Sequence, residues 1–321
     1  MRRKKFLKHM AGATIALQLP RALFASFDDK KRPVKIGLIA DLHQDLIHNG
    51  QERLNAFVQH MKAVQPDALI QMGDFAYPSE KNRAVIDMFN HAHDIPMHVI
   101  GNHDTDAGHT KQQCLEIWGM PQPYYSREIK GVHFIFLDGN EKGSPAHKGG
   151  YPAFIGNEQM AWLKMELAHS QKPVVVVSHQ PLAGWAAVDN AEAVQDLLAA
   201  YKKKIVLAIN GHTHIDALYT VKDVHYAHIN SASYFWMGSP YKHTSYSKAV
   251  HDSYPWLSST CPYKDALFTV LTIEPQTGLV KIEGRNSEWV GASPAALHYQ
   301  NDAIGAGKEI VPFIRGRKIN L

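Results

Sequence analysis

The sequence predicts an α/β protein with largely buried central strands and some antiparallel pairing. Three observations predict it. Short apolar runs alternate with helical patterns along the chain. The runs are nearly continuous in apolar residues, as in strands covered on both faces. The later part reads as hairpins, so a mixed sheet or two packed sheets is expected. In order, VKIGLIAD (34–41) is a buried strand ending in a carboxylate, and residues 51–64 form a helix with Leu54, Phe57, Val58 and Met61 on one face. ALIQMGD (68–74) is the next strand, Ala84–His93 a second helix, and PMHVIGNHD (96–104) a third strand leading into a polar loop. GVHFIFLDGN (131–140) is a fourth strand, and Asn157 is placed to cap a helix carrying Met160, Leu163 and Leu167 on its core side. PVVVVSHQP (173–181) and KIVLAINGHTH (204–214) are apolar runs ended by histidine-bearing loops. Residues 216–221 and 224–230 read as one hairpin and 266–285 as another. Between them, residues 231–265 form a long stretch rich in aromatic residues and histidine with no clear periodicity, the kind of loop that is usually functional.

The 321 residues suffice for one large domain, and a hydrophobic fraction of 45% describes a globular chain. The formal charge of +4 is uneven. Residues 1–25 hold six basic residues (Arg2, Arg3, Lys4, Lys5, Lys8, Arg21) and no acidic one; removing these six from the 34 leaves 28 against 30 acidic. The basic balance therefore belongs to the N-terminus and describes no nucleic-acid surface. That N-terminus, with a cationic head, an apolar stretch over Ala11–Leu19 and small residues near Ala25, reads as an export signal. Its apolar stretch is too short to span a bilayer. The head resembles a twin-arginine signal, with Arg3-Lys4 in the pair position and Phe6, Leu7 and Lys8 following, which implies a bacterial periplasmic or extracellular destination. A linker over 26–33 then leads to a single domain over 34–321. Cys114 and Cys261 have no metal or redox spacing and are expected as unlinked buried thiols.

The polar residues carry the chemistry. Five apolar runs end in Asp, Asn or His: Asp41-Leu42-His43, Gly73-Asp74, Gly101-Asn102-His103-Asp104, Ser178-His179 and Gly211-His212-Thr213-His214. In open α/β sheets, loops at the carboxyl ends of strands gather on one edge, where ligands bind. A pocket so dense in imidazole and carboxylate is costly to bury without cations and is neutralised by two divalent metals. Mixed oxygen and nitrogen donors suit Mn, Fe or Zn better than Mg or Ca.

These motifs, D-x-H, G-D, G-N-H-[DE], a lone His and G-H-x-H in that order, resemble the signature of the calcineurin-like metallophosphoesterase superfamily over roughly Val34 to His214. The resemblance implies a four-layer α/β/β/α sandwich with mixed sheets and a two-metal site at the strand ends. It implies that Asp41, His43, Asp74 and His214 hold one ion. Asp74, Asn102, His179 and His212 would hold the other, with Asp74 shared. The ions would be divalent or mixed-valence transition metals. The implied reaction is hydrolysis of a small phosphodiester or phosphomonoester by direct attack of a metal-bridging hydroxide, with no phosphoenzyme. His103, beside the ligand set, is the candidate general acid, and Asn102 can also donate to phosphate. Asp104 either orients His103 or caps the following helix.

Purple acid phosphatases, a branch of the superfamily, carry G-D-x-x-Y and V-x-x-H, matched here by Gly73–Tyr77 and Val176–His179. They carry glycine where His43 stands, so His43 and Tyr77 compete for one coordination position. We assign it to His43 and leave Tyr77 as a pocket-wall aromatic. The GDxxDRG extension of protein Ser/Thr phosphatases is absent, against that substrate class. Tyr241, His243 and His251 are further candidates to line a substrate pocket. His48, His91, His93, His98, His109 and His147 are expected at the surface or beside the ligands rather than among them.

Overall fold

Two six-stranded mixed sheets carry the fold in the computed structural model, which describes residues 32–274 and 276–321. The strands β1 (Val34–Ile39), β2 (Ala68–Gln71) and β3 (Pro96–His98) run parallel. Next come β4 (Tyr125–Ile129), β5 (Val132–Leu137), β6 (Val174–Ser178), β7 (Ile205–Asn210), β8 (Ala217–Val221) and β9 (Val224–His228). These make the second sheet in the order β4-β5-β6-β7-β9-β8, parallel from β5 through β9, with β4 and β8 antiparallel at its edges. The chain then adds β10 (Tyr234–Trp236) and β11 (Thr260–Pro262), which pair with each other. The hairpin of β12 (Thr269–Glu274) and β13 (Leu279–Ile282) returns to the first sheet. A short pair, β14 (Arg285–Asn286) with β15 (Phe313–Ile314), precedes β16 (Arg317–Asn320). The first sheet is ordered β16-β13-β12-β1-β2-β3.

Alternation along each strand divides the side chains among three cores. Leu38, Ile70 and Met97 of the first sheet meet Phe134, Val175 and Ile209 of the second, filling the space between sheets. Ile39 and Leu69 point the other way, onto Leu54, Phe57 and Met61 of the helix Gly50–Val64 and Ile86 and Phe89 of the helix Arg83–Asn90. Val174 and Val176 likewise pack on Leu163 and Leu167 of the helix Asn157–His169 and on Val194 and Leu198 of the helix Ala191–Ala200. The layers are α/β/β/α, as the resemblance implies, and strands buried on both sides explain the continuous apolar runs. Among the described residues no helix is long and apolar enough to cross a membrane.

Several expectations need correction. Gly156, not Asn157, occupies the N-cap of the helix Asn157–His169, and no side chain caps it; the Gly156 N–H donates instead to Glu141 Oε2. The second helix starts at Arg83 and stops at Asn90 rather than reaching His93. The strands end before their motifs, so that Asp41, Asp74 and Asn102 all sit in loops. Residues 231–265 are not one irregular loop: they contain β10, β11, the helix Lys248–Ser253 and two 3-10 turns. Cys114 and Cys261 are buried and unlinked. The export segment 1–25 lies outside the described residues.

Candidate metal centre

The parallel strands β1, β2 and β3 of one sheet and β6 and β7 of the other deliver their carboxyl ends to one edge of the sandwich. Asp41 and His43 follow β1, Asp74 follows β2, Asn102 follows β3, His179 follows β6, and His212 and His214 follow β7. All are nearly or fully buried, save the partly buried His212.

The backbone pays for this convergence locally. Asp41, His43, Asp74, His212 and His214 adopt positive φ between 50° and 65°, a region that costs a side-chain-bearing residue roughly 1–2 kcal/mol. Five such residues in one loop cluster are concentrated strain of the kind that marks functional sites. Gly101 allows the closest approach: a Cβ there would lie 2.2 Å from Asp74 N and from its Oδ1. Gly73, at φ 93°, would place a Cβ 2.4 Å from His179 Nδ1.

Two donor groups result. Asp41, His43 and His214 form one, Asp74, His179 and His212 the other, each with donor atoms within 4.8 Å of one another. Asp74 Oδ2 lies between them, 3.2 Å from His179 Nε2 and 3.7 Å from His43 Nε2. Asn102 Oδ1 is 3.2 Å from His179 Nε2 and joins the second group. The donors fit metal ions on their own geometry. His43 Nε2 and His214 Nε2 face each other at 3.1 Å, His212 Nδ1 and His179 Nε2 at 3.3 Å, and His214 Nδ1 is buried without a hydrogen-bond partner. Imidazole nitrogens so turned on one another and on carboxylates have the arrangement of ligands to a common cation. His179 Nδ1–H donates to Met72 O at 2.8 Å, which fixes the tautomer that leaves Nε2 as the ligating atom. Asp41 also accepts from His212 N at 3.0 Å and its own carbonyl accepts from Ser231 Oγ, so the first and last motifs are clamped together.

Electrostatics cut across that division. Burial holds His43 well below the usual histidine range and pushes His212 down to about 3. Burial also pulls on His179, but Asp74 outweighs it and holds that imidazole up at about 9. Asp74 is held low because the surrounding imidazoles outweigh the desolvation of its carboxylate.

Asp104 neither orients His103 nor caps a helix. Its buried carboxylate accepts from the backbone N–H groups of Asp74, Phe75, Ala76 and Gly101 at 2.7–3.2 Å, stapling the Asp74 loop to the Asn102 loop. Burial and the Asp74 charge push it up to about 7 against the pull of those donors. The residues that hold His103 were not singled out from sequence. His103 Nδ1 is 2.7 Å from Asp106 Oδ2, and Tyr151 Oη donates to both Asp106 oxygens at 2.8–2.9 Å. Burial lowers the His103 pKa, but Asp74 and Asp106 together raise it above its ordinary value. Asp106 stands three residues after His103, a spacing the motif run already showed; nothing in the sequence pointed to Tyr151.

A cavity of about 580 Å³ opens over the donors. Tyr77 lines it, and burial with the charge of Asp106 pushes its hydroxyl up to about 12. Tyr241, His243 and His251 are not among its lining residues. Tyr241 packs on Tyr299, the His243 Nδ1–H donates to Tyr241 O, and His251 Nε2 accepts from the Ser245 and Tyr246 amides. Those contacts lie within their own segment or on Tyr299. The wall comes instead from Tyr151, Trp185, Tyr234, Trp236 and Trp256.

Residues 34–216 match a family model described as calcineurin-like phosphoesterase. A dimetal phosphatase from Danio rerio superposes with a TM-score of 0.56 at 15% identity, covering 80% of this chain and 98% of that one. A purple acid phosphatase from yellow lupin (Lupinus luteus) seeds gives 0.54 at 12% identity, over 90% of this chain and 54% of the other. A third, described as the anchor in the inner membrane complex of Plasmodium, gives 0.51 at 17% identity over 78% and 84%. At these identities the likeness is one of fold. A search of curated proteins returns no match.

Proposed function

The chain belongs to the calcineurin-like phosphoesterase family, and on that premise we propose that it hydrolyses phosphodiester or phosphomonoester bonds of a small substrate with two metal ions. The observation that supports this most is the pair of donor groups meeting at Asp74, with His103 held beside them. Asp41, His43, Asp74 and His214 would hold one ion; Asp74, Asn102, His179 and His212 the other. Such ions supply Lewis acidity toward the phosphoryl oxygens and a water-derived nucleophile near neutral pH. The rest falls to the chain. The Asp106 carboxylate and Tyr151 hydroxyl engage Nδ1 of His103 and leave Nε2 to carry the transferable proton. The Asp106 carboxylate, 2.7 Å from Nδ1, favours the protonated ring that a general acid for the leaving oxygen requires. Asp104 and Gly101 fix the loop spacing on which the geometry depends.

Manganese-loaded protein is expected to hydrolyse bis-p-nitrophenyl phosphate, p-nitrophenyl phosphate, or both. Hydrolysis of neither by metal-replete protein would overturn the reading. We also propose that residues 1–25 direct export; a fusion that stays in the cytoplasm regardless of that segment would refute this.

A further inference from the structure

Among the described residues, two cavities of more than 500 Å³ open at the candidate centre, and they differ in character. The first, already described, is walled by Trp185, Trp236, Trp256, Tyr77 and Leu46, and its described lining contains no Lys or Arg. Trp236 and Trp256 are 39% and 52% exposed with ring centroids 6.2 Å apart, an apolar display at the mouth that a folded protein has no packing reason to keep. The second cavity, about 550 Å³, is lined by Thr105, His109, Thr110, Asn140 and Lys142 among others. Asn102 and Tyr151 line both. The two spaces therefore meet at a candidate metal ligand and at the tyrosine that holds His103. A phosphomonoester has one substituent to place; a phosphodiester has two.

We propose that the substrate is an asymmetric phosphodiester with a flat or apolar arm in the aromatic cavity and a polar, hydroxyl-bearing arm in the other. This deepens the phosphoesterase reading above and rests on it. The geometry also assigns the arm that leaves. His103 lines the aromatic cavity and not the polar one, so the proton is delivered on the apolar side. The oxygen of water forms the new bond to phosphorus while the bond from phosphorus to the apolar arm's oxygen breaks. That oxygen takes the His103 proton, and the proton lost by water passes to solvent. The products are the apolar alcohol and the phosphomonoester of the polar arm.

The test is a mixed diester whose arms are both primary alcohols, 2-(2-naphthyl)ethyl glyceryl phosphate, given to manganese-loaded protein. Intrinsic leaving-group bias is small, so the enzyme sets the outcome. Naphthylethanol and glycerol phosphate are expected over the alternative pair by about tenfold or more. Trp256→Ala and Trp236→Ala should each lower kcat/KM for this diester, relative to methyl glyceryl phosphate, by about three- to tenfold. A second readout needs no turnover: naphthylethyl phosphonate should quench tryptophan fluorescence at concentrations where methyl phosphonate does not. Equal or reversed cleavage, or equal quenching by the two phosphonates, overturns the inference and leaves the phosphoesterase reading standing. No cleavage of any phosphoester overturns both.

Discussion

Buried histidines occur in two regions of this molecule, and they are kept there by opposite means. At the strand-end loops, His43, His179, His212 and His214 turn nitrogens on one another and on Asp41 and Asp74. In the packed layers, His98 lies on Trp118, with Nε2–H donating to Asn90 Oδ1 at 2.8 Å and Nδ1 accepting from Gln71 Nε2 at 3.2 Å. His228 is likewise complete, between Thr213 Oγ1 and Ala183 O. Burial lowers both, to about 3 for His98 and about 4 for His228, and neutral partners satisfy both nitrogens. His98 and His228 thus have both nitrogens answered by the protein. His179 is answered once, by Met72 O, and turns its other nitrogen to the donor cluster.

The sharpest way to break this contrast is Asp74→Asn, which removes the charge both donor groups share. Turnover should fall by about a thousandfold or more, equivalent to roughly 4 kcal/mol of barrier, and metal content should fall with it. Unchanged turnover with full metal content would sink the shared-ligand assignment. Next in size is His103→Asn. Alkyl phosphoesters should lose about a hundredfold or more in kcat, and p-nitrophenyl esters far less, because nitrophenolate needs no proton to leave. Equal losses on both would remove His103 from the acid role and make it a positioning residue.

The packed region should respond in stability and not in metal. The folded pKa of His98, about 3, lies below the ordinary 6.5, so the unfolded chain binds the proton more readily. The stability contributed by the neutral ring is therefore full above pH 6.5 and is lost as pH falls toward 3, by about 1.4 kcal/mol per pH unit. Urea unfolding of wild type at pH 7 and pH 5 should show a loss that His98→Gln lessens by roughly 2 kcal/mol. The same variant should keep its metal. Identical pH dependence in the two proteins would show that His98 is already charged or already wet. The smallest effect is expected for Tyr77→Phe. Metal content and visible absorption should not change, since His43 Nε2 already faces His214 and Asp74; a colour lost on substitution would give Tyr77 the position assigned to His43.

What could be read from sequence follows the same physics. Short-range rules place β1, β2, β6 and β7 and their terminal motifs, because buried parallel strands and their polar ends are continuous in the chain. The ligand motifs were legible for the same reason: each is a contiguous pair or triplet. Contacts that cross the chain were not. Tyr151 reaches His103 across 48 positions, and the aromatic wall joins Trp185 to Trp236 and Trp256, which no spacing links. The role of Asp104 was not legible because three of the four amides it accepts from lie in the Asp74 loop, 28–30 positions away. Residues 231–265 looked irregular because their strands are only three residues long, too short to show a period.

The measurement closest to the centre of this account is electron paramagnetic resonance on the manganese-loaded protein, with the metal-to-chain ratio determined on the same sample. Two ions per chain sharing Asp74 should lie about 3.5–4 Å apart and give one exchange-coupled signal. That signal should vanish in Asp74→Asn and persist in His98→Gln. A single ion per chain, or two magnetically isolated ions, would contradict it.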